Sequence, residues 1–184
     1  MPLMLHPAEY GTVYWLTGLA GAGKTTIGRL LACRFREQGR NVVFLDGDIL
    51  REVFGNTMGH GREERLKLAR KYSAMCRMLS RQGLDVVCAT ISMFHEVRAW
   101  NRDNIPNYCE IYLRVPFDVL VARDQKGLYG QALAGKIDNV LGVNAPFDEP
   151  RNPDLIIDND GRCSSEAIVD ELIDTLPTLM EKTT

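Results

Sequence analysis

Residues 18–25 are Gly18-Leu19-Ala20-Gly21-Ala22-Gly23-Lys24-Thr25, and this stretch decides the fold class of the chain. It fits the pattern G-x-x-x-x-G-K-[ST], follows an apolar, β-branched run at residues 12–16 and opens a stretch of helical period. Its glycines let backbone N–H groups point inward around a polyphosphate, which then lies at the positive end of the helix. The alternative is a chance match in a glycine-rich turn, and the flanking strand and helix argue against it. The stretch therefore predicts a strand, a phosphate-binding loop and a helix, in that order.

The residues of this loop are expected to hold ATP. Lys24 is placed to reach the β and γ phosphates, and the Thr25 hydroxyl is placed to hold Mg²⁺. The predicted ATP-binding residues of the loop are Gly18, Gly21, Ala22, Gly23, Lys24, Thr25 and Thr26. We therefore expect ATP as a substrate, with Mg²⁺ as the cofactor that accompanies it.

Short apolar runs alternate with longer amphipathic segments along the chain. The runs lie at residues 12–16, 42–45, 86–89, 110–113 and 155–157. Helical spacing is found at residues 27–35 and 68–79, and a last helix is predicted from Ser164, a plausible N-cap. This order predicts an α/β fold: a parallel β-sheet of about five strands with helices on both faces.

Composition is typical of one soluble globular domain over residues 1–184. The 22 Lys and Arg residues nearly balance the 24 Asp and Glu residues, which argues against a nucleic-acid or membrane-surface partner. The apolar runs are too short to span a bilayer and the N-terminus lacks a secretory signal, so we expect a cytoplasmic protein. The five cysteines are scattered, and we expect them to be small buried residues.

Residues 124–153 break the alternating pattern. The segment is rich in Gly, Asn and Pro and has little apolar periodicity. A stretch of this length without periodicity is either a functional lid or an element that the pattern misses. The sequence leaves both alternatives open.

The second predicted strand ends in Leu45-Asp46-Gly47-Asp48. In an open parallel sheet, ligands gather at the carboxyl ends of the strands, so both acids are expected to face the phosphate-binding loop. Mg²⁺ and an attacking hydroxyl both call for carboxylates at such a place. Asp48 is therefore predicted to be catalytic and to contact the metal. For Asp46, the alternative is an Asp-Gly turn in which it caps the next helix.

Four stretches of the chain together resemble the adenylylsulfate kinase family, whose members phosphorylate the 3′-hydroxyl of adenosine 5′-phosphosulfate. They are WLTGLAGAGKTTIGRLL at residues 15–31, LDGD at 45–48 with Arg51 beyond it, GREER at 61–65 and RDQKGLYGQALAGKI at 123–137. The resemblance covers residues 14–159, and its most specific part is the R-D-x-K-G-L-Y motif. It implies a Mg-ATP-dependent kinase of sulfate activation that forms a homodimer.

The resemblance also implies roles for single residues. It makes Lys24 and Asp48 catalytic and places Arg123 beside ATP. The residues expected at the acceptor are Asp46, Arg51, His60, Arg65, Ile91, Ser92 and Lys126. Planar guanidinium groups suit the tetrahedral anions of such an acceptor. The alternative for Arg51, Arg62 and Arg65 is a solvated helix start that pairs with Glu63 and Glu64.

The chain departs from the family pattern where the base of the acceptor is bound. His60 and Val140 stand where the family has the two aromatic residues that sandwich adenine, and Leu68 stands where it has Asn. Three functions stay open: an adenylylsulfate kinase, which the resemblance favours, a kinase for a related nucleotide such as the cytidine diphosphoramidate of capsule synthesis, or a catalytically silent ATP-binding partner. Retention of Lys24 and Asp48 argues against the third.

Overall fold

The computed structural model describes residues 9–54, 59, 61–124 and 127–181. Its strands are β1 (Val13–Thr17), β2 (Val42–Asp46), β3 (Asp85–Ala89), β4 (Tyr108–Arg114) and β5 (Leu155–Asp158). Its helices are α1 (Lys24–Glu37), α2 (Gly47–Val53), α3 (Arg62–Ser80), α4 (His95–Asn104), α5 (Phe117–Arg123), α6 (Leu128–Leu133) and α7 (Ser165–Glu181). Each predicted strand is present, with its ends within two residues of the expected ones.

The strands form one sheet in the order β2-β3-β1-β4-β5, and every neighbouring pair is parallel. This confirms the predicted five-stranded parallel sheet. Because β1 lies in the middle, the loop that follows it opens at the centre of the carboxyl edge of the sheet. The segments that follow β2 and β3 open beside it, and this arrangement assembles the site.

The two faces of β1 carry different halves of the core. Tyr14 and Leu16 pack with α1 and α7 on one face, whereas Val13 and Trp15 pack with α3 and α4 on the other. Such alternation follows from the period of two along a strand. Helices thus cover both faces of the sheet at β1, as predicted, whereas the edge strand β5 is partly open to solvent and its Ile156 is 48% exposed.

The last helix begins where the sequence predicts it. The Ser164 hydroxyl accepts a hydrogen bond from the backbone N–H of Ala167 at 3.2 Å, which is the contact of an N-cap residue. Ile168, Leu172 and Leu176 are buried at helical spacing. The periodicity and the cap together therefore located this helix.

Four helices were not predicted from the sequence. They are α2, α4, α5 and α6, of 7, 10, 7 and 6 residues. Helices this short show at most two or three turns of periodicity, which is too little for a pattern to stand out. One of them, α6, lies inside residues 124–153, so part of that segment is an element that the pattern missed.

The end of the predicted lid is tied to the body of the domain. Tyr112 of β4 donates a hydrogen bond to Glu149 at 3.0 Å, and Arg98 of α4 donates to the carbonyl oxygen of Asp148 at 2.8 Å. Arg102 of α4 donates to the carbonyl oxygen of Asn152 at 2.8 Å. These three contacts therefore join residues 148–152 to β4 and α4.

The cysteines divide into two groups. Cys76, Cys88 and Cys109 are buried, as expected, but the expectation is wrong for Cys33 and Cys163, which are exposed on helix α1 and just before α7. Within the described ranges, no helix combines the length and the apolar character that a membrane crossing requires.

Candidate active site

A cleft of about 570 Å³ opens at the carboxyl ends of β1, β2 and β3. The phosphate-binding loop and the start of α1 form one wall, and α2 and α3 form the opposite wall. Residues after β3 and residues of the lid segment complete the lining. Predicted site residues among the lining are Gly21, Gly23, Lys24, Thr25, Thr26, Asp46, Asp48, Arg51, Arg65, Ile91, Ser92 and Arg123.

Two glycines of the loop are required by close packing. A Cβ at Gly18 would lie 2.6 Å from the carbonyl oxygen of Leu113, and a Cβ at Gly23 would lie 2.7 Å from Nδ2 of Asn159. Gly23 also has a φ of +89°, in the left-handed region that glycine adopts without strain. Glycine is therefore needed at position 18 because the backbone passes close to β4, and at position 23 because Asn159, in the segment after β5, lies against it.

Lys24, the predicted catalytic lysine, is nearly buried at the base of the loop. Lys24 is 9% exposed, and its Nζ donates a hydrogen bond to the carbonyl oxygen of Leu19 at 2.7 Å. The next residue, Thr25, is exposed and lines the cleft. Both side chains thus stand at the start of α1, where the helix dipole favours a phosphate.

Asp46 joins the loop to α2. Its Oδ2 accepts a hydrogen bond from the Thr25 hydroxyl at 2.7 Å, and its Oδ1 accepts one from the backbone N–H of Asp48 at 2.9 Å. Asp46 is therefore the N-cap of α2, which was the alternative to a site role, and it also holds Thr25. Its predicted contact with the acceptor stays a prediction.

Asp48 lies in the first turn of α2 and is exposed toward the cleft. The capping contact from Asp46 fixes the backbone amide of Asp48, so the carboxylate is carried on an ordered turn. The donors offered near the loop are one hydroxyl and two carboxylates, which suit Mg²⁺, an ion that takes its remaining ligands from phosphate and water. Among the described residues no cluster of three acidic, His or Cys side chains forms a closed metal cage.

Arg51 and Arg65 converge on the cleft from the last turn of α2 and the first turn of α3. Burial is the main cause of the lowered pKa of Arg65, and the nearby positive charge of Arg51 lowers it further. Arg65 also donates to the carbonyl oxygen of Asn139 in the lid segment at 2.6 Å. Two guanidinium groups that repel each other in one cleft make it attractive to an anion.

Arg62 has contacts that the sequence did not indicate. Its guanidinium lies 3.6 Å from the carboxylate of Asp148 and 5.1 Å from the centre of the Phe94 ring. Glu63, one expected partner of these arginines, pairs instead with Lys67 at 2.7 Å. Arg62 therefore contacts both Phe94, which lines the cleft, and Asp148, which lies near the end of the lid segment.

The loop after β3 carries Ile91 and Ser92 into the cleft, where the sequence predicted them. The Thr17 hydroxyl donates to the carbonyl oxygen of Ile91 at 2.6 Å, which ties this loop to the end of β1. The Ser92 hydroxyl lies 2.8 Å from the Thr90 hydroxyl. The loop is thus held by short polar contacts on both sides of Ile91.

The cleft is also lined by apolar and aromatic side chains. They are Leu68, Tyr72, Met93, Phe94 and Leu141. Val140, which the sequence analysis placed opposite the acceptor base, is 4% exposed and packs in the core with Tyr129 and Ala132. Its neighbour Leu141 lines the cleft. The role of this position toward the acceptor base stays a prediction.

Arg123 lines the cleft, with Nη2 beside Gly161, and its predicted contact with ATP stays a prediction. His60 and Lys126 lie outside the described residues. Two residues that contact the phosphate-binding loop were missed: the Tyr129 hydroxyl donates to the carbonyl oxygen of Ala20 at 2.8 Å, and Asn159 donates to that of Ala22 at 3.0 Å. Two features of the sequence could have pointed to these residues: Tyr129 belongs to the R-D-x-K-G-L-Y motif, and Asn159 follows the carboxyl end of a predicted strand.

Comparisons with known proteins agree with this geometry. The family described as adenylylsulphate kinase matches the chain over residues 10–158. The chain is 44% identical to the cytidine diphosphoramidate kinase of Campylobacter jejuni over 164 residues, which cover 89% of this chain and 95% of that protein. It is 37% identical to the adenylyl-sulfate kinase of Halothermothrix orenii over 159 residues, which cover 86% of each.

The comparison with solved structures indicates the same family. The adenylylsulfate kinase of Mycobacterium tuberculosis, solved in complex with AMPPNP and APS, superposes with a TM-score of 0.84. Its sequence is 31% identical, and the match covers 91% of this chain and 98% of that one. By its sequence, its sheet order and its phosphate-binding loop, this chain belongs to the adenylylsulfate kinase family of P-loop kinases.

Proposed function

We propose that the protein transfers the γ-phosphoryl group of ATP to a ribose hydroxyl of a nucleotide whose 5′-phosphate carries a second tetrahedral group. The observation that carries this proposal is the pairing of two sites in one cleft. On one side, Thr25 is held by Asp46 at the phosphate-binding loop. On the other side, Arg51 and Arg65 line an anion-attracting wall.

The mechanism follows from these positions. Lys24 leaves the carbonyl of Leu19 and turns to the phosphates when ATP binds, because the phosphate oxygens carry more negative charge than a carbonyl. Thr25 and Asp48 would hold Mg²⁺, which would neutralise part of the phosphate charge. Asp48 accepts the proton of the attacking hydroxyl. The lid segment excludes water, which would otherwise compete as the acceptor.

For the acceptor we propose a cytidine nucleotide of the diphosphoramidate type. His60 and Val140 stand where the family has the two aromatic residues of the base sandwich, and the cleft lining holds the aliphatic Leu68 and Leu141 beside Tyr72 and Phe94. Loss of an aromatic sandwich weakens binding of any base, and a purine, with its larger π-face, loses more contact than a pyrimidine. The relative in Campylobacter jejuni, which is 44% identical, is named as a kinase of this nucleotide.

Adenosine 5′-phosphosulfate is the second candidate. The observations in its favour are the identity of 37% with an adenylyl-sulfate kinase and the superposition on a structure that was solved with APS. Both candidates carry two tetrahedral groups at the 5′ position, so Arg51 and Arg65 suit either of them. The base end of the cleft is where they differ.

The experiment is a panel of acceptors measured as kcat/KM with saturating MgATP. The panel contains cytidine diphosphoramidate, adenosine 5′-phosphosulfate, cytidine diphosphate and adenosine diphosphate, and the Asp48→Asn variant gives the background rate. The proposal expects the cytidine diphosphoramidate to be used best. A preference for adenosine 5′-phosphosulfate would establish the second candidate, and turnover with no member of the panel would contradict both.

A further inference from the structure

Two carbonyl groups of the phosphate-binding loop, those of Ala20 and Ala22, accept hydrogen bonds from side chains outside the loop. A loop that turns its N–H groups inward must turn several carbonyl oxygens outward, and buried carbonyl oxygens need hydrogen-bond partners. Here the carbonyl of Ala20 accepts from Tyr129 at 2.8 Å and the carbonyl of Ala22 accepts from Asn159 at 3.0 Å. Neither partner belongs to the loop motif, so the shape of the loop depends on two residues far from it in sequence.

Tyr129 is a rigid partner for the loop. Its side chain is 1% exposed, and its ring meets the Phe117 ring edge-on with centroids 5.5 Å apart. Burial raises the pKa of Tyr129 to about 12, so its hydroxyl keeps its proton across the physiological range and acts as a donor. Packing on the ring thus fixes where the hydroxyl points.

Helix α6, which carries Tyr129, has its own anchor. The carboxylate of Asp124 accepts a hydrogen bond from the backbone N–H of Gly130 at 2.8 Å, and this contact lowers the pKa of Asp124. The helix lies in the segment predicted to be a lid. The contact between Tyr129 and Ala20 is therefore a direct link between that segment and the phosphate-binding loop.

Asn159 supports the same loop from the body of the domain. It is 9% exposed, directly follows β5, and its backbone N–H donates to the carbonyl oxygen of Arg114 at 3.0 Å. Its side chain also packs against Gly23. The two supports therefore come from different elements and can be removed separately.

We infer that Tyr129 and Asn159 are positioning residues that hold the phosphate-binding loop in the shape that receives the phosphates of ATP. The inference rests on the proposed function only in taking ATP as the nucleotide, and it does not depend on the acceptor. Removing one support lets a carbonyl turn inward, where it repels a phosphate. The loop then spends part of its time in shapes that do not bind.

The test is calorimetric binding of MgAMPPNP to the full chain, without acceptor. Tyr129→Phe keeps the ring and removes the hydroxyl, and we expect the dissociation constant to rise about three- to tenfold, which is the range for one lost hydrogen bond. Asn159→Ser should give a rise of similar size. The matched control is Tyr14→Phe, whose hydroxyl accepts a hydrogen bond from Arg40 at 2.9 Å near the amino edge of the sheet, and it should bind as the wild type does.

The outcomes separate this inference from the proposed function. No binding of MgAMPPNP to the wild type would contradict the proposed function. Normal wild-type binding with an unchanged constant in Tyr129→Phe and Asn159→Ser would overturn the inference. An equal weakening in Tyr14→Phe would also overturn it, because the effect would then reflect general destabilisation. Thermal unfolding of each variant checks that the domain is folded.

Discussion

The Thr25 hydroxyl donates a 2.7 Å hydrogen bond to Oδ2 of Asp46, which joins the first turn of α1 to the end of β2. Because the hydroxyl gives its proton to Asp46, its oxygen lone pairs face the cleft and are available to a cation. The same carboxylate caps α2 and so orders the turn that carries Asp48. The Asp46 side chain thus orients both residues, Thr25 and Asp48, whose oxygen atoms we assign to Mg²⁺.

The first prediction concerns this contact. Asp46→Asn keeps the cap through its amide oxygen but presents an NH₂ group to Thr25, which then accepts a hydrogen bond with the lone pair that Mg²⁺ needs. We expect the Mg²⁺ concentration for half-maximal activity to rise by roughly tenfold, in the range of effects of groups that orient a metal ligand. Titration of activity with Mg²⁺ at fixed ATP measures it. An unchanged Mg²⁺ dependence would mean that Asp46 only caps α2.

The second prediction concerns Asp48. Asp48→Asn keeps the size of the side chain and removes its charge, so kcat should fall by a factor of about 10² or more. Binding of MgATP should persist, because Lys24 and the loop amides remain. Single-turnover kinetics and nucleotide binding measured on the same preparation test both parts. A variant with wild-type kcat would remove Asp48 from the mechanism.

The sheet and the phosphate side of the site were predictable from the sequence, for a physical reason. Central parallel strands are continuous apolar runs, and the loop motif needs glycines and a lysine at fixed spacing. Leu16 lies in such an apolar run and Lys24 in the loop motif, and few other structures would produce these two patterns. The short helix α2 has no such pattern, and only the Asp46 cap hinted at it.

The acceptor side was harder to predict because its lining depends on irregular backbone. The segment around Val140 and Leu141 has no period, so no pattern could tell which of the two residues lines the cleft, and the structure places Leu141 there. Asn144 determines the turn in this segment: its Oδ1 accepts from the backbone N–H of Val140 at 2.8 Å, and its Nδ2 donates to the carbonyl of Ile137 at 2.8 Å. No sequence pattern identifies such a contact in advance.

The third prediction concerns the anion wall. Arg51→Lys keeps the positive charge but cannot reproduce the planar, two-point contact of a guanidinium with a tetrahedral anion. We expect the KM for the acceptor to rise at least tenfold while the KM for ATP changes less than twofold. Initial rates with each substrate varied in turn measure the split. Equal changes in both constants would show that Arg51 acts on the fold or on ATP.

The fourth prediction concerns pH. Burial, together with the positive charges of Arg98 and Arg151, lowers the pKa of His95, and Asp148 opposes this shift. The Nδ1 of His95 lies 2.8 Å from Nη2 of Arg98, a contact that requires an unprotonated Nδ1. Because the folded pKa lies below the unfolded value of about 6.5, the unfolded state binds more protons in this window. Stability is therefore lost as pH falls from about 6.5 toward the folded pKa.

Thermal unfolding between pH 8 and pH 5.5 measures this dependence. The His95→Gln variant cannot titrate, so its melting temperature should fall less than that of the wild type over the lower half of the range. Identical pH profiles would show that the contact between His95 and Arg98 contributes nothing to stability. His95 is partly exposed, so solvent screens its charge and the difference between the two profiles should be small.

The last prediction concerns recognition of the acceptor base. Leu141 lines the cleft, whereas Val140 is buried in the core. Leu141→Phe should therefore offer an aromatic face to the base, and stacking of this kind contributes about 1–3 kcal/mol per base. We expect the ratio of kcat/KM for adenosine 5′-phosphosulfate over that for cytidine diphosphoramidate to rise about fivefold or more. Val140→Phe is the matched control, because it adds the same ring inside a packed core.

The control separates base recognition from packing. A Phe at Val140 overpacks the cluster with Tyr129 and Ala132, which should cost about 1–3 kcal/mol of stability. It should leave the ratio of the two acceptors unchanged, because the added ring does not reach the cleft. Direct competition between the two nucleotides, with products separated by chromatography, gives that ratio for the wild type and both variants. A changed ratio in Val140→Phe with none in Leu141→Phe would show that the base contacts position 140, as inferred from the sequence. An unchanged ratio in both variants would mean that this segment does not contact the base.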